Sequence, residues 1–258
     1  MITSTNNPSV KNMIALQKKG KLRREQEVFL VEGPKMVSEI PEGCLKELYV
    51  SEEFDAGEQW AELLKGRRYE LVSAKVFREM SDTQTPQGIL AVVKQQHSEL
   101  SQLLTGENAH LLLLEDIQDP GNLGTMLRAG EGAGITGVVM SKGCVDIYNP
   151  KVIRSTMGSV YRVPFVYTDD FHGAIREIKK SCKVYAAHLK GEYYYDKGDY
   201  TGATAMIIGN EARGIREETA ALADTLIKIP MEGQVESLNA AVAASILMYE
   251  VYRQRRGR

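Results

Sequence analysis

The sequence predicts an α/β protein with a parallel-sheet C-terminal domain, preceded by a small mixed α/β domain. Five apolar runs, Leu111–Leu114, Gly137–Met140, Val184–Ala187, Ala205–Ile208 and Leu226–Ile229, show no polar alternation. Strands buried on both faces between helix layers have that pattern. Helical stretches alternate with the runs, as βα units require. Three polar clusters follow apolar runs, at the strand ends where open α/β sheets bind ligands.

Residues 1–93 form the first domain of this reading. Asn7-Pro8 marks a turn, and Val10–Lys21 has helical spacing with a basic face. Val28–Val31 reads as a buried strand, leading through Glu32-Gly33 into a helix near Pro34–Glu39, where proline suits the first turn. Leu45–Val50 is expected as a strand, Ala61–Lys65 as a helix and Ile89–Val93 as a closing strand. Ser81–Gly88, ending Thr85-Pro86-Gln87-Gly88, is irregular. Polarity rises over residues 94–107, which read as a linker, and residues 108–258 form the second domain. There the apolar runs are strands, Leu123–Glu131 is a helix, and Leu238–Tyr252 is a helix apolar on nearly every face. Such a helix is enclosed by the core or by a second subunit.

The chain has 258 residues, 43% hydrophobic and 26% charged, with a net charge of -2, so no global field draws it to nucleic acid. The charge is uneven. Met1–Arg24 holds Lys11, Lys18, Lys19, Lys21, Arg23 and Arg24 with no acid, and the last residues add Arg253, Arg255, Arg256 and Arg258. Local basic patches of this kind can bind phosphate backbones. Three dispersed cysteines and four histidines without ligand spacing argue against a disulfide framework and a metal site. There is no signal peptide and no run of 18 apolar residues, so a soluble cytoplasmic protein, not bound to membrane, is expected.

A literal G-x-G-x-x-G occurs at Gly132, Gly134 and Gly137. It follows a helix and precedes a strand, the reverse of the order that places pyrophosphate at a helix N-terminus. These glycines end a helix, and a nucleotide-dependent oxidoreductase is disfavoured. The three clusters are better placed. Asn122-x-Gly124-x-x-x-Arg128 opens a helix after Glu115-Asp116 and the turn Asp119-Pro120-Gly121, with Asn122 suited to the N-cap. Gly209-Asn210-Glu211-x-x-Gly214 puts charge at a strand end, where it is costly unless used. In Ser237-Leu238-Asn239-x-Ala241, Ser237 can cap the last helix, and Asn239 opens an otherwise apolar helix that it favours weakly, which points to a role for its amide.

These clusters, in this order, resemble those of the SpoU (TrmH-type) RNA ribose 2′-O-methyltransferases, from Leu111 to about Tyr252. Arg154-Ser155-x-x-Gly158-Ser159-x-x-Arg162-Val163-Pro164 is similar to the family's segment between its first two motifs. Asn7-Pro8-x-Val10-Lys11, Phe29-Leu30-Val31-Glu32-Gly33 and Thr85-Pro86-Gln87-Gly88 resemble the RNA-binding domain often fused to these enzymes.

The resemblance implies a trefoil knot in the C-terminal domain, a homodimer through that domain, and S-adenosylmethionine as cofactor, with no metal. It assigns cofactor contacts to Gly209, Ile229 and Leu238, largely through backbone groups. It places Arg128 at the reacting 2′-oxygen, with Asn122, Glu211, Ser237 and Asn239 around it. A guanidinium stays protonated, so Arg128 fits stabilisation of a phosphate or developing oxyanion better than proton abstraction. The basic stretch Lys11–Arg24 is the expected RNA contact, with ribosomal RNA favoured over transfer RNA. The competing reading is a non-catalytic RNA-binding or ribosome-assembly protein of the same fold, which the intact Asn122, Arg128, Glu211 and Asn239 disfavour.

Overall fold

Asn7 starts the first helix: its side chain accepts a hydrogen bond from the Ser9 amide at 2.9 Å, and Pro8 takes the first helical position. The structure, a computed structural model, describes every residue except 56, 61, 107, 257 and 258. The expected helix start at Ala61, the linker end at Glu107 and the tail residue Arg258 lie outside the described residues.

The first unit contains α1 (Pro8–Lys18), α2 (Gly20–Gln26), β1 (Val28–Glu32), α3 (Pro34–Ser38), β2 (Leu45–Ser51), β3 (Glu70–Val72), α4 (Ala74–Met80) and β4 (Ile89–Lys94). Its sheet has the order β1-β4-β2-β3, antiparallel except for β2 with β3. Val10, Met13 and Leu16, at helical spacing, pack with Leu30, Tyr49, Phe77, Met80 and Leu90. The expected helix over Val10–Lys21 breaks at Lys19, whose backbone is extended. Residues 62–65 are successive turns, with Lys65 donating to Glu62 and Arg67 to Leu64, and not a helix. Sequence reading missed β3 and α4.

The chain continues through α5 (Leu100–Leu103), β5 (His110–Leu114), α6 (Pro120–Gly132), β6 (Gly137–Ser141) and α7 (Pro150–Thr156). It then forms β7 (Phe165–Thr168), α8 (Phe171–Ile178), β8 (Lys183–Ala187), β9 (Tyr193–Tyr194), β10 (Thr204–Ile208), α9 (Glu217–Ala220), β11 (Thr225–Lys228) and α10 (Ala240–Arg255). Residues 97–145 and 162–258 make the second unit, whereas Asp146–Tyr161, including α7, packs with the first. A contiguous domain over 108–258 was expected. The difference comes from side chains: the Tyr148 ring lies 4.6 Å from that of Phe29, and the Tyr161 hydroxyl donates to the Met36 carbonyl. The linker region is also structured, because α5 buries Leu103.

The second unit is one parallel sheet of order β7-β6-β5-β10-β8-β11-β9. Leu111 and Leu113 pack toward Ile175 and Ile178 of α8, so Leu112 and Leu114 point to the opposite face. On that unit α10 packs against α6 and β10. All five apolar runs are strands, as expected, Leu226–Ile229 forming most of β11, while the short β7 and β9 were missed. Along α10 Ala241, Ala244, Leu247, Met248 and Val251 are buried, but Val242, Tyr249 and Tyr252 stay exposed. The helix is held at its end by Arg255, whose guanidinium donates to the carbonyls of Tyr200, Asn108, Ala109 and Gly202. His110 nearby is buried and kept neutral: burial first, and the Arg255 charge second, lower its pKa to about 3. No described helix is long and apolar enough to cross a membrane.

Candidate functional site

Three loops meet at the carboxyl ends of β5, β10 and β11. The first starts with Asp116, which leaves β5 in the left-handed region at φ 53°, a conformation aspartate tolerates better than most residues. Asp119 caps α6, accepting from the Asn122 amide at 2.7 Å, and Pro120 follows. Asp119, not Asn122, is therefore the cap. Asn122 sits one turn in, buried, with its side-chain amide free for tertiary bonds.

Those bonds join the clusters. Asn122 Nδ2 donates to Glu211 Oε1 at 3.0 Å, and Asn239 Nδ2 donates to Asn122 Oδ1 at 2.9 Å. Glu211 also accepts from the backbone amides of Gln118 at 3.1 Å and Asp119 at 3.0 Å. Partial desolvation works against its ionisation, but the donors Asn122, Asp119 and Gln118 outweigh it and hold its pKa below the usual carboxylate value. Asn239, not Ser237, caps α10: its Oδ1 accepts from Ala241 at 2.9 Å and Val242 at 3.3 Å. The Asn239 side chain thus serves its own helix and the first loop together.

Several members of this network escaped the sequence reading. Asn210 Nδ2 donates to the Asp116 carbonyl at 2.7 Å, while its Oδ1 accepts from the amides of Ala212 and Arg213. Arg216 forms an ion pair with Asp116, and its amide donates to the buried Glu115 carboxylate at 2.8 Å. Thr219 donates to the other Glu115 oxygen. The visible signal was the acid pair Glu115-Asp116 at a strand end; its partners lie about a hundred residues on.

Beside this network lies a cleft of about 230 Å³, lined among others by Leu189, Ile208, Gly209, Ile229, Ser237 and Leu238. Its walls are largely apolar, as in small-molecule sites. Among the described residues, the backbone groups of Gly209, Ile229 and Leu238 make no hydrogen bond. Polar backbone in an apolar cleft calls for a partner, and a purine edge offers matching donors and acceptors. The residues present therefore fit an adenosyl group. Gly209 has a second reason to be glycine: a Cβ there would lie 2.2 Å from the backbone of Gly214. Its small size lets the 209–214 loop close.

Two predicted residue sets are placed differently. Arg128 is exposed on α6 in a stripe with Gly121 and Thr125. It has no ion pair or hydrogen-bond partner among the described residues, and it does not line the cleft. It stands six residues beyond Asn122, about 9 Å along the helix. In the first unit Lys11, Lys18, Lys19, Lys21 and Arg24 are exposed, but Arg23 is not. Its side chain is 4% exposed, donating to the Leu16 carbonyl and pairing with Asp146 at 2.7 Å. Arg23 belongs to the fold of its unit and is withdrawn from the RNA-contact set.

Residues 7–91 match the model of an MRM3-like substrate binding domain. The chain is 35% identical, over 97% of its length and 98% of the relative's, to the 23S rRNA (guanosine(2553)-2′-O)-methyltransferase RlmP of Bacillus subtilis. It is similar to the crystal structure of the SpoU methyltransferase AviRb from Streptomyces viridochromogenes with AdoMet, at TM-score 0.88 and 27% identity, covering 98% of this chain and 100% of that one. An AdoMet-bound rRNA methyltransferase from Sinorhizobium meliloti superposes at TM-score 0.85 with 32% identity, covering 98% and 97%. The SpoU rRNA methylase model matches residues 109–249, which span all three loops and the first part of α10, and the chain belongs to that family.

Proposed function

We propose that this chain is an RNA methyltransferase that transfers a methyl group from S-adenosylmethionine to a ribose 2′-hydroxyl, with ribosomal RNA as substrate. The observation that carries the reading is the cleft at the strand ends, where the backbone of Gly209, Ile229 and Leu238 is unpaired beside the Asn239–Asn122–Glu211 chain. Bound there, S-adenosylmethionine supplies a methyl group on a sulfonium, a leaving group that needs no metal. The three backbone segments hold the adenosyl portion, and Ser237, an exposed residue of the cleft lining, is assigned to the substrate.

Glu211 is not the proton acceptor in this reading. It is held ionised, but its lone pairs are engaged by three N–H donors, so it keeps the first and second loops in register. Asn122 and Asn239 extend that register to α10. Arg128, with an unengaged guanidinium, stabilises a neighbouring phosphate or the developing 2′-oxyanion, and its fixed positive charge suits that task. The 2′-hydroxyl distinguishes RNA from DNA.

The finer architecture follows the same reading. Strand β10 lies between β5 and β8, both earlier in the chain, which supports a trefoil knot closed as residues 229–239 pass to α10. The exposed stripe Val242, Tyr249 and Tyr252 supports a homodimer through α10, of two-fold symmetry. The first unit binds substrate RNA, with Lys11, Lys18, Lys19, Lys21 and Arg24 as phosphate contacts, and the reaction belongs in the cytoplasm with its RNA.

The test is transfer of labelled methyl from S-adenosylmethionine to ribosomal RNA transcripts, with mapping of ribose methylation in a deletion strain. Calorimetry should detect cofactor binding, and one 2′-O-methylated rRNA position should disappear in the deletion. Cofactor binding without transfer to any RNA would favour the non-catalytic assembly protein, and absence of cofactor binding would overturn the reading.

A further inference from the structure

The first unit gathers three sequence segments that lie far apart along the chain. Glu32, at the end of β1, uses its carboxylate to hold the loop after α4: it accepts from Ser81 at 2.7 Å, Thr83 at 3.2 Å and the Gln87 amide at 3.0 Å. Gly33 is packed against the same loop, since a Cβ there would lie 2.4 Å from the Gln87 side chain, and its φ is +100°. The third segment is α7. Its Arg154 reaches Asp82 of the held loop, Nη1 to Oδ2, at 3.0 Å.

This ion pair is poorly suited to a purely structural role. Its side chains are 38% and 44% exposed, and pairs in that setting contribute little to stability. Asp82 engages a single guanidinium nitrogen, so among the described residues the rest of the fork is unused. Lys151, one turn earlier on the same face of α7, is exposed with no ion pair among the described residues. A preorganised loop, a guanidinium fork and a second cation on one face match a polynucleotide backbone, because Arg binds phosphate with two parallel bonds.

We propose that Arg154 is a phosphate-binding residue for the substrate RNA and that Asp82 is an anionic placeholder, which holds the guanidinium in position until a backbone phosphate displaces it. The proposal rests on the reading of the chain as an RNA-modifying enzyme. It adds Arg154 and Lys151 of α7 to the phosphate contacts assigned to the basic stretch of α1 and α2. It also gives Asp82 a role opposite in sign to that of an ordinary acid in a salt bridge: removing its charge strengthens RNA binding.

The experiment measures affinity for an rRNA transcript that the wild-type enzyme methylates, across a salt series. Arg154→Gln weakens binding and lowers the salt slope by up to about one. Asp82→Asn tightens binding about two- to fivefold, the range of an exposed ion pair. In the double variant the gain from Asp82→Asn disappears, which separates displacement at Arg154 from a general reduction of negative charge. Cofactor affinity, measured in parallel, stays at the wild-type value and reports intact folding. Arg154→Lys restores the affinity only in part. The inference is overturned if Asp82→Asn leaves RNA affinity unchanged or lower, or if its gain persists without Arg154. If the wild-type enzyme methylates no RNA, the functional reading fails instead.

Discussion

Replacing Glu211 with Gln tests whether the three loops are held by that carboxylate. Glu211 accepts from Gln118, Asp119 and Asn122. A carboxamide keeps one oxygen and turns the other position into a donor that faces an N–H. At least one charge-assisted hydrogen bond is lost and a donor–donor contact replaces it. Such bonds contribute about 1.5–3 kcal/mol. Residue 211 is exposed, so the lower part of the range applies, about 1–2 kcal/mol after solvent screening. Cofactor affinity should then fall roughly 5- to 30-fold, because the 209–214 loop that lines the cleft is no longer held in register. The pH dependence has a definite sign. The pKa of Glu211 is lowered in the folded state, so its contribution is fully present above the ordinary carboxylate value and is lost as the pH falls through the folded value. The stability difference between wild type and Glu211→Gln should be constant from pH 6 to pH 8, about two units above ordinary carboxylate titration, and should shrink under acid. Calorimetric titration of the cofactor, with urea unfolding at several pH values, measures both quantities. Unchanged cofactor affinity and stability at neutral pH would refute the reasoning, and the loops would have to be held by other contacts.

Four further outcomes are expected. Arg128→Ala should lower single-turnover methyl transfer by about 10²–10³ while cofactor affinity survives, and Arg128→Lys should rescue it poorly; a near wild-type rate would remove Arg128 from the reaction. Gly209→Ala brings a Cβ to 2.2 Å from Gly214 and should reduce cofactor affinity about tenfold, the scale of overpacking, as read by calorimetry. Arg255→Ala removes a guanidinium shared by four carbonyls and should cost about 2–3 kcal/mol, visible as a lower urea midpoint. If the chain pairs through α10 as proposed, light scattering should show a dimer that Tyr249→Asp, on the exposed stripe of α10, converts into a monomer, whereas a dimer unaltered by the substitution would place the interface elsewhere.

The strands of the second unit were legible because runs such as Leu111–Leu114 and Ala205–Ile208 are apolar without alternation, a local signal. Short edge pieces such as Tyr193–Tyr194 carry no such signal; their pairing with β11 creates them. The starts of α1, α3, α6 and α10 were legible to within a turn, but two were assigned to the wrong polar residue. Asp119 and Asn239 form the caps of α6 and α10, and several polar residues in a row leave that choice to tertiary structure. The bond between Asn122 and Asn239 spans 117 residues, so composition and spacing could nominate both amides but could not join them. Arg23 shows the reverse error. It belongs by sequence to a basic stretch, yet the carbonyls of α1 and the carboxylate of Asp146 draw it inside.

The return of residues 146–161 to the first unit sets a limit on how the protein can be divided. The covalent chain passes from one unit to the other after Gln96, after Val145 and after Tyr161, so cutting at a single peptide bond releases neither unit whole. A fragment beginning near residue 97 would carry Val152, Ile153 and Tyr148 away from Phe29 and leave that apolar surface in water. A fragment ending near residue 96 would leave Arg23 buried without the acid that neutralises it. For this chain, a transplantable catalytic module would require new side chains along 146–161, and insertion or deletion between the halves is constrained at three crossings where a beads-on-a-string protein has one.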